Sequence, residues 1–557
     1  MSDLPGPTEP GPERSSGIGR ASALLASGTL VSRLLGFVRA IVLTATLGAV
    51  ASAAGDAFAL ANQLPNNIYA LVAGGVLGAI LVPQIVRASV QDDGGQGYIN
   101  KIVTIGGVAF FGLAVLATVA APLLVSLYVQ PGTDGSGFSP EGIALATAFA
   151  YWCLPQVLFY ALYSLLGEVL NARRVFGPFT WAPVVNNLIA IGGLLAFALV
   201  FGGSGANSDV EVWDASRIAL LGGSATLGVA SQAIVLAVFW KRTGLAYRPD
   251  FHWKGVGLRR TGQAAGWVFG MILLGQVVGI FQSRVASEAA GEGASLLALQ
   301  NSWLIFMLPH SVIAVSVGTA YFTRMSGHAS SKNLAGLRDD VSSSVRNIGL
   351  LITLASAILV VVAFPFARVF ETQFDNVTAM AIVIIAFVLG LVPFSAFFVL
   401  QRAYYSLDDT RTPFLIEVVR SALAIVGVLL CSLLPVDRIA AGIALVTTVI
   451  GLTQTIAAFA LLRRRLGPLG GRLLLGRHLQ FALAAIVSAV VGAGILFALG
   501  GVTPNGFAQE SRFSAIISIG TIGAGMATVY LGMLLLVRNP ETRTAVGAVT
   551  ARFGRKA

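Results

Sequence analysis

The apolar run at 21–50 carries two arginines, Arg33 and Arg39, near its middle. At about 1.5 Å per residue, a helix of this length spans roughly 45 Å, which is enough to cross a bilayer. An arginine at the centre of a membrane helix costs about 2.5–3.5 kcal/mol on insertion scales. Two on one helix are tolerated only where they face protein or a water-filled cavity. The rest of the chain is therefore expected to form the wall of such a cavity.

Composition places the whole chain in the membrane. Only 11% of the 557 residues are charged and 56% are hydrophobic, whereas soluble proteins have about 25% charged residues. The chain is therefore predicted to be an all-α polytopic membrane protein. The net charge of +11 would suit nucleic acid, but the basic residues lie in short loops between apolar spans, so we predict no nucleic-acid partner. Cys153 and Cys431 lie inside apolar runs and are interpreted as buried small side chains.

Apolar runs long enough to cross a membrane recur along the chain, and we count fourteen. Their approximate limits are 21–50, 57–86, 102–129, 142–172, 177–202, 216–240, 261–287, 296–323, 345–370, 377–406, 413–434, 439–462, 478–500 and 513–537. Basic residues concentrate in every second loop, while the loops between hold mainly acidic residues. The alternation and the even span number predict that both termini are cytoplasmic.

An internal repeat relates the two halves of the chain. The end of span four, LLGEVLNARRVFGPF, resembles the end of span ten, LQRAYYSLDDTRTPF, and both place Pro-Phe (Pro178 and Pro413) at the start of the next helix. A second match, AGGVLGAILVPQIVRAS with IAVSVGTAYFTRMSGHAS, aligns Gly78 with Gly318. Repeats six spans apart predict two six-helix lobes related by a pseudo-two-fold axis along the membrane normal, with substrate bound between them.

This repeat divides the chain into six predicted segments. They are a disordered cytoplasmic N-terminus (1–20), an N-lobe (21–240), a basic cytoplasmic linker (241–260), a C-lobe (261–462), two additional C-terminal spans (463–537) and a basic cytoplasmic tail (538–557).

Arg33 and Arg39 are the strongest candidates for substrate contact. Six residues apart on a straight helix, they differ by about 120° in azimuth and about 9 Å in height. Their long side chains could still converge on a diphosphate-sized anion if Gly36 lets the helix bend, and the guanidinium fork suits phosphate. The alternative is that each arginine pairs with Asp56 or Glu168 and only holds the bundle together.

Two further charges extend this candidate site. Asp56 opens span two, where it either caps the helix in solvent or pairs with Arg39 when the cavity is empty. Arg284 lies toward the outer end of span seven. It either snorkels to the interface or is the second half's contribution to a cationic cavity.

The sequence also contains a weaker candidate for ion coupling. Glu417 and Arg420 lie at i and i+3 in span eleven and can simply neutralise each other. The functional alternative is an ion-coupling site that Glu417 forms with Thr447 or Thr448.

Two proline positions interrupt the spans at matching depths. Pro65, followed by Asn66 in span two, and Pro309 in span eight each free a backbone carbonyl. We interpret them as hinges for alternating access, the alternative being static kinks.

Sequence motifs of common enzyme classes are missing from the chain. There is no GxxxxGK[ST], HExxH or GxSxG, and the four histidines show no metal-ligand spacing. We therefore predict a protein that is not an enzyme and that has no metal or organic cofactor.

The first two spans resemble a known family. SRLLGFVR at 32–39, GDAFALANQLPN at 55–66 and GAILVP at 78–83 resemble the opening signature of the MviN/MurJ family of lipid II flippases. This family belongs to the multidrug/oligosaccharidyl-lipid/polysaccharide exporter superfamily. The fourteen predicted spans, arranged as two six-helix lobes and two extra C-terminal helices, resemble this family along nearly the whole chain.

The resemblance carries implications for individual residues. It implies that Arg33 and Arg39 line a central cationic cavity, that Asp56 is important and that Asn66 is a polar position of the site. It also implies that the last two helices form a groove for the lipid tail. The chain departs from many relatives in the uncharged stretch NSWLIFMLP before Pro309, and we expect Arg284 to substitute for the missing second-lobe charges.

The implied function is the flipping of lipid II, the undecaprenyl-diphosphate-linked disaccharide-pentapeptide of peptidoglycan synthesis. Lipid II would pass from the inner to the outer leaflet of a bacterial plasma membrane by alternating access. Implied partners are lipid II, membrane lipids, peptidoglycan synthases and the division or elongation machinery, and the implied coupling ion is Na⁺ or H⁺. The alternatives are a related exporter of drugs or other polyprenyl-linked saccharides, and a non-transporting scaffold of the wall-synthesis machinery.

Overall fold

The computed structural model describes residues 12–72, 88, 95–132, 137–173, 175–252 and 262–554. Some predicted features lie outside this range. They are residues 1–11, the repeat position Gly78, the motif at 78–83 and residues 253–260 of the linker. Thirteen helical segments of the described chain are long and apolar enough to cross a membrane. The first part of span two is the helix Ala53–Val72, and the rest of this span lies outside the described residues. The predicted all-α fold is confirmed.

The first lobe contains spans one to six. Its helices are α1 (Pro12–Leu47), α2 (Ala53–Val72), α3 (Gln96–Val119), α4 (Ala121–Tyr128), α5 (Pro140–Cys153), α6 (Gln156–Ala172), α7 (Phe176–Phe201), α8 (Ser204–Asn207) and α9 (Ala215–Phe239), followed by a 3₁₀ turn at Trp240–Thr243. Because α1 begins at Pro12, the predicted disordered segment 1–20 is helical from that residue onward.

The second lobe contains spans seven to twelve, and two further spans follow it. The helices of the lobe are α10 (Gly262–Ser287), α11 (Leu296–Pro309), a π-helical turn (His310–Ala314), α12 (Val315–Ser330), α13 (Leu334–Val361), α14 (Ala363–Phe370), α15 (Phe374–Val388), α16 (Leu391–Ser406), α17 (Arg411–Cys431), a 3₁₀ turn (Val436–Arg438) and α18 (Ile439–Leu466). After it come α19 (Gly471–Ala498), α20 (Phe507–Glu510), α21 (Arg512–Leu536) and α22 (Pro540–Gly554).

Two spans in each lobe are broken at equivalent places. Span three divides into α3 and α4 at Ala120, and span nine divides into α13 and α14 at Val362. Span four divides into α5 and α6 at Pro155, where the missing N–H ends the first helix. Span ten divides into α15 and α16 at Gly390. These irregularities recur six spans apart, as the internal repeat predicts.

Helix pairing follows the same repeat. In the first lobe α1 packs on α7, α7 on α9, and α2 on α5. In the second lobe α10 packs on α17, α17 on α18, and α11 on α15. Each pair of the first lobe therefore has its counterpart six spans later, which confirms two six-helix lobes in parallel orientation.

The last two spans dock on the second lobe through α13. The Tyr530 hydroxyl of α21 donates to the Leu350 carbonyl of α13 over 2.8 Å. Ser488 of α19 donates to the Met526 carbonyl of α21 over 2.8 Å, and a Cβ at Gly492 would clash with the Met526 side chain. The two helices are therefore in direct contact at this level, and the groove for a lipid tail that the last two helices are expected to form stays a prediction.

The two ends of the bundle differ in charge. At the acidic end, where α1 and α10 finish, the described loops and helix ends carry Glu141, Asp209, Glu211, Glu288, Glu292 and Asp375. At the opposite, basic end the described loops and helix ends carry Lys241, Arg242, Arg324, Lys332, Arg411, Arg463, Arg464 and Arg472.

Candidate functional site

Arg33 lies on the face of α1 that points at the second lobe. Phe37, one turn further on the same face, packs edge-on against Phe366 and Phe370 of α14, with ring centroids 5.7 and 5.4 Å apart. Arg33 is partly exposed and lies within electrostatic range of His310 in the second lobe. Among the described residues it has no hydrogen-bond or ion-pair partner. Its guanidinium is therefore free to meet an anion between the lobes.

The other face of α1 packs closely on α7. Gly28, Ser32 and Gly36 form a stripe of small residues along it, and a Cβ at Gly28 would lie only 2.7 Å from the Thr180 side chain. Asn187 donates from Nδ2 to the Ser32 carbonyl over 2.9 Å. α1 runs through Gly36 without interruption. Gly36 thus has a place in helix packing, and its role as a hinge stays a prediction.

Arg39 follows this small-residue face and enters the interior of the first lobe. It lines a cavity of about 10 Å³ together with Phe58, Leu194 and Ser224, and its charge acts on the Tyr160 hydroxyl. A space of this size holds about one water, so it cannot hold a diphosphate. In the described part of the chain Arg39, like Arg33, has no ion pair. The predicted convergence of the two arginines on one anion is therefore absent from this conformation, and so is the alternative of pairing with Asp56 or Glu168.

The α2 face that meets the second lobe is polar. Gln300 of α11 donates from Nε2 to the Gln63 Oε1 over 2.5 Å and to the Ala59 carbonyl over 3.3 Å. Asn66 lies one turn beyond Gln63 on the same face and is exposed. The structure therefore places Asn66 beside the same inter-lobe space as Arg33. Pro65 is buried inside α2, which continues through it.

His310 is the second-lobe group that the sequence reasoning missed. It begins the π-helical turn directly after Pro309, and such turns are frequent at functional sites. The ring is 3% exposed. Its Nδ1 lies 3.0 Å from the Ser395 Oγ, and the Phe394 ring is 4.7 Å away by centroid. The sequence did contain a signal for His310. A proline inside a span disturbs the helical backbone, and His310 directly follows Pro309.

A cavity of about 320 Å³ extends from the lobe interface into the second lobe. It is lined by Gln63 and Gln300 at the interface, by Gln282 of α10, and by Arg420 and Thr447 deeper in the lobe. Its polar lining is amide, hydroxyl and guanidinium. The cavity therefore offers hydrogen bonds to a polar, uncharged or anionic group.

The expected ion-coupling site is not assembled. Arg420 donates to Glu417 with N···O distances of 2.5 to 2.9 Å, and Gln454 donates to the Glu417 Oε2 over 3.2 Å. Thr447 donates to a carbonyl of its own helix, and Thr448 donates to the Ala386 carbonyl over 2.7 Å. Because these oxygens already have protein partners, the neutralising pair is the interpretation of Glu417 and Arg420 that fits the structure.

Two carboxylates join the lobes at the acidic end. The Asp56 Oδ1 accepts the Leu297 amide over 2.9 Å, and Asp56 is 1% exposed. The Glu371 Oε1 accepts the amides of Ala49 and Val50 over 2.6 and 2.9 Å. Burial raises the pKa of the Glu371 carboxyl, while these amides act in the opposite direction. Asp56 therefore acts here as a contact between lobes, which corrects both the solvated cap and the pair with Arg39.

Arg284 is also engaged at the acidic end. It donates to the Ser126 carbonyl over 3.2 Å and to the Gln130 Oε1 over 2.8 Å. Ser126 lies in the last turn of α4 and Gln130 lies just after it, so the guanidinium sits at a helix C-terminus, where a cation is favoured. The expectation that Arg284 supplies the second lobe's charge to the cavity beside Arg33 is wrong for this conformation. Arg284 lies near the acidic end of span seven, which is away from the level of Arg33.

All hydrogen bonds between the lobes in the described part of the chain lie in the half of the bundle next to the acidic end. Besides those of Asp56, Glu371, Arg284 and Gln300, they include Ala51 N to the Gly293 carbonyl over 2.9 Å. We call this set of contacts the latch. The inter-lobe space is thus sealed beyond Asp56, and Arg33 and Asn66 lie on its basic-end side.

Comparison with known proteins adds a family likeness that spans both lobes. The family model for lipid II flippase MurJ matches residues 43–516. A probable lipid II flippase MurJ from Haemophilus influenzae is 26% identical over 414 residues, covering 70% of this chain and 76% of the relative.

Two solved structures share the fold. The lipid II flippase MurJ in an inward closed conformation has a TM-score of 0.70 at 17% identity, covering 92% of this chain and 100% of that chain. An inward-facing multidrug resistance transporter of the MATE family, in the MOP superfamily, has a TM-score of 0.61 at 15% identity, covering 81% of this chain and 98% of that chain.

Proposed function

This chain belongs to the MurJ family of lipid II flippases, and from that premise we propose that Arg33 holds the lipid II diphosphate during flipping. The family is one of transporters, so the protein is a multi-pass membrane flippase and not an enzyme. The observation that carries the proposal is the guanidinium of Arg33, which has no partner among the described residues and faces the second lobe on the basic-end side of the latch. A buried or partly buried cation without a partner is costly, and a diphosphate would satisfy it through charge-assisted hydrogen bonds.

In the proposed cycle, lipid II enters between the lobes from the basic end and leaves at the acidic end. The concentration of basic residues at one end supports a cytoplasmic location for that end. With the even number of spans predicted from the sequence, both termini would then lie in the cytoplasm. Asn66 would contact the head group beside Arg33. Outward movement of negative charge is favoured by an inside-negative potential, by about 2.3 kcal/mol per charge per 100 mV.

Opening toward the acidic end requires the latch to break. Asp56, Glu371 and Arg284 each bind backbone groups of the opposite lobe, so their role in this proposal is gating. The π-helical turn after Pro309 is a place where span eight could bend during the change. Pro65 and Gly36 lie in helices that are continuous here, and their hinge roles stay predictions.

A coupling ion, Na⁺ or H⁺, would have to act at a carboxylate. Glu417 has both oxygens engaged, whereas the Asp56 Oδ2 has no hydrogen-bond partner among the described residues. Asp56 is therefore a carboxylate of the latch that a proton could reach as the latch opens. Peptidoglycan synthases and division proteins stay predicted partners.

The test is a depletion strain complemented with variants, followed by measurement of lipid II accessible at the outer leaflet. Arg33→Ala is expected to abolish accessible lipid II, whereas Arg411→Ala, an exposed arginine at the basic end, is expected to leave it unchanged. Full complementation by Arg33→Ala at equal expression would reject Arg33 as the diphosphate contact. It would favour a scaffold, or an exporter whose substrate is not anionic.

A further inference from the structure

A second cavity, of about 660 Å³, opens on the outer surface of the second lobe. Helix α19 packs on α13 and α21, whereas α18 packs on α15, α16 and α17. The cavity lies where these two groups of helices diverge. Its walls are almost entirely apolar, and they include Leu400, Ile456, Phe459, Leu474 and Leu475.

Two arginines stand at the basic-end rim of this cavity. Arg463 and Arg464 lie in the last turn of α18, line the cavity and are exposed. In the described part of the chain neither has a hydrogen-bond or ion-pair partner for its guanidinium. Their neighbour Arg465 differs, because it pairs with Asp409. The rim therefore carries two uncompensated positive charges next to a deep apolar groove.

We propose that this groove binds an anionic phospholipid of the surrounding bilayer. The acyl chain would lie against Ile456, Phe459 and Leu475, and the headgroup phosphate would bind Arg463 and Arg464. Basic pockets between membrane helices on the cytoplasmic side suit anionic headgroups, and the arginine fork suits phosphate oxygens. A zwitterionic lipid would fill the groove equally well but would bring no net charge to the rim.

The site is separate from the inter-lobe cavity and does not depend on the role of Arg33. It lies between α18 and α19, so a bound lipid would connect the twelfth span with the two additional spans. The groove for the carrier's lipid tail that the last two helices are expected to form is a different feature and stays a prediction.

Lipid binding can be measured on the full chain by native mass spectrometry in detergent with added phosphatidylglycerol or phosphatidylcholine. We expect one tightly bound phosphatidylglycerol that is weakened at least about tenfold in the double variant Arg463→Gln/Arg464→Gln. The matched control is Arg242→Gln/Arg411→Gln, which removes two exposed arginines of the same end that do not line the groove and should retain binding. Ile456→Trp, which fills the groove and keeps both arginines, should also lose the lipid.

Three results would overturn the site. They are equal retention of phosphatidylcholine, equal loss in the control double variant, and displacement of phosphatidylglycerol by stoichiometric lipid II. The last result would assign the groove to the carrier's tail. Loss of lipid II binding in Arg33→Ala with phosphatidylglycerol binding intact would show that the two sites are independent.

Discussion

Asp56 in the first lobe accepts a 2.9 Å hydrogen bond from the backbone amide of Leu297 in the second lobe, 241 residues later in the chain. Leu297 lies in the first turn of α11, so the carboxylate caps a helix of the opposite lobe. The bond has to break whenever the acidic end opens. Asp56 is therefore positioned to set the stability of the sealed state.

Asp56→Ala is expected to destabilise the sealed state by about 1–3 kcal/mol, because the buried Leu297 amide loses its hydrogen-bond acceptor. The measurement is the distance between spin labels on Glu211 and Asp437, two exposed acidic-end residues in different lobes. The variant should populate longer distances. Glu292→Ala, which removes an exposed acid at the same end, should leave the distribution unchanged, and an unchanged Asp56→Ala distribution would remove Asp56 from the latch.

The Glu371 contact should make sealing depend on pH. Burial raises the pKa of Glu371 in the sealed state, so sealing takes up a proton that the opened, solvated carboxyl would release. The stabilisation is greatest below the ordinary glutamate pKa and is lost as pH rises through the raised value. The sealed population should therefore increase on acidification. Glu371→Gln, which keeps an Oε1 acceptor and cannot titrate, should weaken this dependence; an identical pH profile would contradict the assignment.

A substitution of Arg284 can distinguish a role in gating from a role in substrate binding. Since its guanidinium binds the Ser126 carbonyl and Gln130 in this conformation, Arg284→Ala should loosen the acidic end and slow transport. The dissociation constant for lipid II should not change. A variant that transports normally but binds lipid II weakly would restore Arg284 to the cavity.

The small-residue stripe of α1 predicts different tolerance at two glycines. Gly28→Ala brings a methyl group against Thr180 and should lower thermal stability, by about 1–3 kcal/mol if the helices cannot adjust. At Gly36 the nearest atom to an added Cβ is 3.8 Å away, so Gly36→Ala should fold and transport normally. Loss of transport in Gly36→Ala at unchanged stability would show that Gly36 is a hinge.

Much of the fold follows from the sequence because span length and charge alternation depend on the solvent, and the bilayer imposes both. The repeat predicted the lobes, and Arg33 was found because a cation in an apolar run is expensive. The direction in which the Arg39 side chain points was harder to predict from the sequence. Its face could have been read from Gly28, Ser32 and Gly36, since small residues mark a helix contact in membranes.

The latch could not be predicted in the same way. Asp56, Glu371 and Arg284 bind backbone groups that are hundreds of residues away or lie across the lobe interface. Every residue has a backbone carbonyl, and every residue except proline has a backbone N–H. A backbone partner therefore cannot be recognised from the sequence. His310 was treated as an isolated histidine because its relation to Arg33 exists only once the lobes meet.

The most direct test of the account is the dissociation constant of lipid II for the purified protein in lipid nanodiscs, measured for wild type, Arg33→Ala and Arg39→Ala. The account predicts at least about a tenfold loss for Arg33→Ala, as expected for a charge-assisted contact with phosphate, and little change for Arg39→Ala, whose side chain faces the first lobe. Wild-type affinity in Arg33→Ala, with the protein folded, would contradict it.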